Sequence, residues 1–238
     1  MSLLRLESLS ARHGLLTAVQ NIDLEVAEGE TLALVGANGA GKSTLLRTIA
    51  GAHPPAGGRI AFAGTDITGG PAHQRVGLGL ALVPEGRRLF PAMTVAENLA
   101  VAARRARPGE WTLSSVYDAF PALGPLRDRR ASALSGGQQQ LTAIARALLT
   151  NPRLLLIDEV SLGLSPAAVD TVYDTLTGLA SRPTLVLVEQ DLNRALTVAG
   201  RVICLLEGRI VLAAGTADVT REQVTEAYFG LRSPKAGA

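Results

Sequence analysis

A lysine and a hydroxyl side chain placed directly after three spaced glycines form a set of groups suited to holding phosphate. Residues 36 to 43 read Gly36-Ala37-Asn38-Gly39-Ala40-Gly41-Lys42-Ser43, a complete G-x-x-x-x-G-K-[ST] followed by Thr44. Glycines let the backbone turn its N–H groups toward the β- and γ-phosphates, and the N-terminus of a following helix adds partial positive charge. Lys42 supplies a full charge, and the Ser43 hydroxyl suits Mg²⁺. The chain has only one other lysine, Lys235, so the sole lysine outside the C-terminal tail lies in this cradle. Three further groups suit the same chemistry. Asp158 and Glu159 close an apolar run and offer a carboxylate for the Mg²⁺ shell, through water, and a general base for an attacking water. Ser135-Gly136-Gly137-Gln138 opens a helix whose glycines leave backbone N–H groups accessible to an anion. Gln190 ends another apolar run beside Glu189 and Asp191, and its amide can donate to a phosphate oxygen and accept from water.

These groups need a scaffold that brings them together. Residues 31 to 35, 80 to 83, 153 to 157 and 184 to 188 are short apolar runs, as expected of parallel strands buried on both faces. Stretches with helical spacing alternate with them at 43 to 50, 136 to 149, 166 to 179 and 192 to 198. Strands alternating with helices give an α/β fold with a parallel sheet, whose ligands gather at the strands' C-terminal ends. Residues 3 to 8 and 18 to 25 alternate apolar and polar and predict a small antiparallel β layer, joined by 59 to 62 and 64 to 67. Ala11-Arg12-His13-Gly14 reads as a turn, and residues 84 to 91 as an irregular loop. Helical spacing at 93 to 105 and 113 to 120 marks a separate helical layer from about 92 to 132. A hairpin is expected at 201 to 214, a last helix at 221 to 229 and a disordered tail from 232 to 238.

Composition narrows the function class. Of 238 residues, 47% are hydrophobic and 3% aromatic, which suits an aliphatic sheet under Ala-rich helices. A net charge of +2, with basic residues scattered and no aromatics interleaved among them, argues against nucleic acid as a partner. The lone Cys204 excludes an internal disulfide and reads as a buried strand residue. No apolar run approaches the roughly 18 to 20 residues of a membrane span, so any membrane role is expected to come through a partner.

Taken in order, the cradle, Leu134-Ser135-Gly136-Gly137-Gln138 and the strand ending in Asp158-Glu159 resemble the nucleotide-binding subunit of ATP-binding-cassette (ABC) transporters, over residues 3 to 231. The resemblance implies a P-loop NTPase (RecA-like) core with an antiparallel β layer and a helical signature subdomain at about 92 to 135, all in one domain of residues 1 to 231. It implies ATP and Mg²⁺ as cofactors, with contacts from Gly36, Asn38, Gly39, Gly41, Lys42, Ser43 and Thr44. Ser43, Asp158 and Glu85 would serve the metal, with Glu85 also near the nucleotide. Glu159 and Gln190 would be catalytic. It further implies a head-to-tail dimer, homo- or heteromeric, in which Ser135, Gly136, Gly137 and Gln138 of one chain close on the ATP of the other. Transmembrane permease subunits would hold the protein peripherally on the cytoplasmic face of the cell membrane.

Finer features resemble the subgroup importing branched-chain amino acids, and relatives importing urea or short amides. These features are Val83-Pro84-Glu85-Gly86-Arg87-Arg88-Leu89-Phe90, with Glu85 where most cassettes have Gln; Ser161-Leu162-Gly163-Leu164-Ser165-Pro166; and Val188-Glu189-Gln190, with Gln190 where most have His. Val160 replaces the family's usual Pro. His13 stands where an aromatic usually stacks on adenine; it is either that platform or an exposed turn residue. Arg87, Arg88 and Phe90, an aromatic beside paired arginines on a loop, are expected to dock on a membrane subunit. A cassette acting on nucleic acid or ribosomes is the alternative in another class. It is disfavoured because only about 90 residues, without a heptad run, separate Lys42 from Ser135. An intact Glu159 disfavours a regulator that only binds.

Overall fold

The computed structural model describes residues 2–104, 106–179 and 183–231. Its centre is a six-stranded sheet in the order β10-β9-β3-β8-β7-β6. The parallel strands are β3 (Thr31–Val35), β6 (Leu80–Val83), β7 (Leu154–Ile157), β8 (Thr184–Val188) and β9 (Arg201–Leu206); β10 (Arg209–Gly215) returns antiparallel at the edge. The period of two along these strands splits their side chains between separate cores. Leu154, Leu156, Val186 and Val188 pack into one core with Leu32 and Leu34, whereas Leu155, Ile157, Leu185 and Leu187 pack into another. Burial on both faces is why these strands read as continuous apolar runs.

The first core lies between this sheet and a second, antiparallel one, ordered β2-β1-β4-β5. It comprises β1 (Ser2–His13), β2 (Leu16–Ala27), β4 (Gly57–Phe62) and β5 (Thr65–Asp66). The β1 and β2 strands extend well beyond the expected 3 to 8 and 18 to 25, so Ala11, Arg12 and His13 belong to a strand and the turn falls at Gly14 and Leu15. The second core joins β6, β7 and β8 to α3 (Val95–Ala103), α4 (Leu113–Ala119), α5 (Gly136–Leu148) and α6 (Pro166–Gly178). The third packs α7 (Leu192–Val198) and α8 (Arg221–Tyr228) on β3 and β9. The expected tail, 232 to 238, lies outside the described residues.

Helix α1 (Lys42–Ile49) carries the lysine of the cradle at its N-terminus, and its other end is held by a charge the sequence did not single out. Arg75, on the unanticipated helix α2 (Ala72–Leu78), is 2% exposed and donates to the carbonyls of Thr48 (2.8 Å), Ile49 (2.7 Å), Gly70 (2.9 Å) and Thr68 (3.0 Å). A cation there answers the orphan carbonyls and the negative end of the helix dipole. Arg75→Met removes those donors from carbonyls that stay buried, and is expected to cost about 2 to 4 kcal/mol in urea unfolding. A midpoint unchanged from wild type would show that water satisfies those carbonyls equally well.

Candidate functional site

Four neighbouring parallel strands end on one edge, and their continuations carry the chemistry-bearing residues. Beyond β3 lies the cradle, beyond β8 Glu189 and Gln190, beyond β7 Asp158 and Glu159, and beyond β6 Pro84 and Glu85. Such an edge is where parallel α/β sheets collect ligands.

The cradle is threaded between two backbones. A Cβ on Gly36 (φ 147°) would lie 2.2 Å from the Leu205 carbonyl oxygen, and one on Gly41 (φ 102°) would lie 2.1 Å from that of Ala18. Glycine is therefore demanded there by space as well as by dihedral. Helix α1 begins at Lys42 without a side-chain cap, which leaves its first-turn N–H groups for a ligand. Lys42 is 5% exposed, and its Nζ donates to the carbonyls of Gly36 (2.6 Å) and Ala37 (2.9 Å). Burial lowers its pKa below the ordinary lysine value, while the Glu159 and Asp158 carboxylates act in the opposite direction.

The two acids after β7 have different surroundings. Asp158 is buried and accepts from Ser43 Oγ (2.8 Å) through Oδ1. Its Oδ2 has no hydrogen-bond partner among the described residues, the Arg47 guanidinium being 3.9 Å away. Burial raises the Asp158 pKa above the usual carboxylate value, against the pull of Ser43 and Arg47. An orphaned carboxylate oxygen, a serine hydroxyl and Glu85 nearby form a hard oxygen-donor set of the kind that fits Mg²⁺. Arg47, which sequence reasoning passed over, links the set, since it also lies 3.7 Å from Glu85. Glu159 is partly exposed, and its Oε1 accepts from Gln190 Nε2 at 3.0 Å. Its φ of 59° is left-handed, a strain of about 1 to 3 kcal/mol for a non-glycine residue. A following proline would hold Glu159 to extended backbone, and Val160, fully buried, imposes no such limit.

A cleft of about 450 Å³ joins most of these groups; Gly36 and the buried Asp158 lie outside its lining, Asp158 reaching it through Ser43. Of the residues nominated from the sequence, His13, Asn38, Gly39, Gly41, Lys42, Ser43, Thr44, Glu85, Glu159 and Gln190 line it, as do Leu16, Ala18 and Leu162. His13 is exposed; its Nε2 lies 3.1 Å from Thr44 Oγ1, and its ring meets that of His53 at 4.5 Å between centroids, a pairing no local pattern indicates. Ser135, Gly136, Gly137 and Gln138 are not among the cleft's lining. They open α5 in a capping box, Gln138 N donating to Ser135 Oγ and Ser135 N to Gln138 Oε1.

The loop 84 to 91 corrects one expectation. Arg87 is turned inward, donating to Gln140 Oε1 (3.2 Å) and to the Leu162 carbonyl (3.1 Å), so its guanidinium braces α5 and is not an exposed cation like that of Arg88. Arg88 and Phe90 remain exposed. Together with Arg87 they line a separate groove of about 320 Å³, to which Val83, Ala143 and Ala147 contribute apolar surface.

Comparison with known proteins agrees with this geometry. The sequence pattern of the ABC transporter family matches residues 19 to 161. The chain is 40% identical over 232 residues to the high-affinity branched-chain amino acid transport ATP-binding protein BraG of Pseudomonas aeruginosa, covering 96% of this chain and 100% of that protein. It is 35% identical to the probable branched-chain amino acid transport ATP-binding protein LivF of Archaeoglobus fulgidus, covering 91% and 93%. Its fold is similar to the crystal structure of a nucleotide-free ATP-binding cassette from an ABC transporter, with TM-score 0.78 and 28% identity over 99% of this chain and 97% of the other. The ADP conformation of the ATP-binding cassette MJ1267 gives TM-score 0.77 and 28% identity over 96% and 95%. With the phosphate cradle, the acids after β7 and Gln190 on one sheet edge, and relatives matched almost end to end, this chain belongs to the ABC transporter family and is one of its ATPases.

Proposed function

We propose that the chain is the ATP-hydrolysing subunit of an importer for branched-chain or other hydrophobic amino acids. The observation that carries the catalytic part is the Gln190 Nε2 contact with Glu159 Oε1 in the same cleft as Lys42 and Ser43. In this reading Lys42 and the N-terminus of α1 neutralise the phosphates, and Glu159 accepts the proton of the attacking water. Gln190 orients that water and donates to the γ-phosphate without adding charge, and the exposed His13 ring offers adenine a surface to stack on. Ser43 and Glu85, with Asp158 through water, would hold Mg²⁺, which would supply positive charge against that of the phosphates. Ser135, Gly136, Gly137 and Gln138 serve the ATP of a second subunit, since they are absent from the cleft of their own chain. Residues 1 to 231 act as one domain, with about 92 to 135 as its helical subdomain.

The cargo reading rests on the full-length likeness to BraG. No helix among the described residues is long and apolar enough to cross a membrane, so coupling to transport calls for permease subunits on the cytoplasmic side. We place their contact in the groove beside Arg88 and Phe90, an exposed cation and aromatic next to apolar surface. Converting both to alanine is expected to leave basal ATPase within about twofold and lower leucine uptake at least tenfold in vesicles holding the permease. Full uptake by that double variant would move the contact elsewhere, and vesicles that hydrolyse ATP without taking up any branched-chain amino acid would overturn the cargo.

A further inference from the structure

We propose that Glu189 is a positioning residue that sets the distance between Gln190 and Glu159 by tying the turn after Glu159 to the end of β8. Glu189 is 1% exposed. Its Oε1 accepts from the Tyr173 hydroxyl of α6. Its Oε2 accepts both from Ser161 Oγ, at 2.9 Å, and from the backbone N–H of Gln190, at 3.2 Å. Its own N–H donates to the Leu34 carbonyl at the end of β3, 3.2 Å away. The carboxylate thus ties the segments after β7 and β8 to α6, and the backbone N–H of the same residue ties them to β3.

The contacts close a ring. Glu159 leads through Val160 to Ser161, Ser161 bonds to Glu189, Glu189 leads to Gln190, and the Gln190 amide returns to Glu159. Two adjacent residues on one loop therefore grip two near neighbours on the other, and neither loop can slide without stretching a bond to a buried charge. Stability alone does not call for an ion at this position, because a buried carboxylate is costly and well-packed apolar residues often do as well. Its donors are neutral, and the nearby Arg194 is engaged with Asp170 at 2.9 Å and lies 5.1 Å from the centre of the Tyr173 ring. Burial and the adjoining carboxylate raise the Tyr173 pKa well above the ordinary phenol value, so the tyrosine stays a donor. What the arrangement supplies is geometry, and misplacing a reacting group by about 1 Å can cost a hundredfold in rate.

The inference rests on the reading of Glu159 as base and Gln190 as its partner. The test is steady-state Mg-ATP hydrolysis by the full chain carrying Ser161→Ala, Ser161→Thr, Tyr173→Phe, Gln190→Ala, or Ser161→Ala with Gln190→Ala. Ser161→Ala and Tyr173→Phe are expected to lower kcat about tenfold and leave KM for ATP within about threefold, with Ser161→Thr restoring most of the rate. Once Gln190 is alanine, adding Ser161→Ala should cost less than about twofold more, because the tie no longer has an amide to position. Wild-type kcat in both single variants overturns the inference, and so do losses that multiply in the double variant, which would mark a general effect on folding. Glu159→Gln, run alongside, separates the two levels. If it hydrolyses ATP like wild type, the reading of Glu159 falls and this inference with it; if it is inactive while Ser161→Ala is not, only the role of Glu189 falls.

Discussion

Lys42→Ala is expected to lose Mg-ATP affinity by between about ten- and a thousandfold, the range of losing a charge-assisted phosphate contact in a buried setting. Lys42 is nearly enclosed and shares the cleft with two carboxylates, Glu159 and Glu85, that repel a polyphosphate. Without the lysine those charges are unopposed by any other lysine in the cradle, and the Gly36 and Ala37 carbonyls lose the donor that shapes the loop. Calorimetric titration of Mg-ATP into both proteins reads the effect. Equal affinities would remove Lys42 from the phosphate site.

Glu159→Gln is expected to slow hydrolysis by about 10² to 10⁴ while keeping Mg-ATP affinity within a few-fold, because an amide cannot take the proton of water. The substitution is nearly isosteric, and its carbonyl oxygen can still accept from Gln190 Nε2, so the loop geometry is retained. A stalled site holds its ATP, and the variant is expected to accumulate as an ATP-bound dimer, visible as a doubled mass in light scattering. A variant that turns over at the wild-type rate would move the base to another group.

The elements that shape the site were the ones most legible in the sequence, for a physical reason. A sheet buried on both faces writes its strands as unbroken aliphatic runs, and β3, β7 and β8 are such runs, each followed directly by a functional residue. The start of α5 was legible from its paired glycines, whereas the capping boxes of Ser135 with Gln138 and Thr94 with Glu97, which fix the starts of α5 and α3, emerge in the structure. Legibility fades where structure depends on distant partners. The outer halves of β1 and β2 pass through register shifts between Leu6, Leu9, Ala11 and Arg12, which break the alternation that marks a strand. Helix α2 buries a single residue, Arg75, and so has no apolar stripe to read.

Side-chain direction in loops was the least legible. Nothing in Glu85-Gly86-Arg87-Arg88 says that Arg87 turns toward α5 while Arg88 stays exposed; that follows from the carbonyl of Leu162, 75 residues away. The tie between Ser161 and Glu189 and the contact of His13 with His53 are likewise tertiary. Asp158 and Glu159 could be assigned different roles from their order. Their different surroundings, one buried with an orphaned oxygen and the other strained and paired with Gln190, emerge only in three dimensions.

The central claim is that the cradle of residues 36 to 43 binds ATP and that Glu159 starts its hydrolysis. It is tested most directly by incubating wild type and Glu159→Gln with Mg-ATP, removing free nucleotide, and identifying what stays bound by chromatography. The account predicts intact ATP on the variant and ADP on wild type, with phosphate released only by wild type. ADP on both proteins, released with equal phosphate, would contradict it.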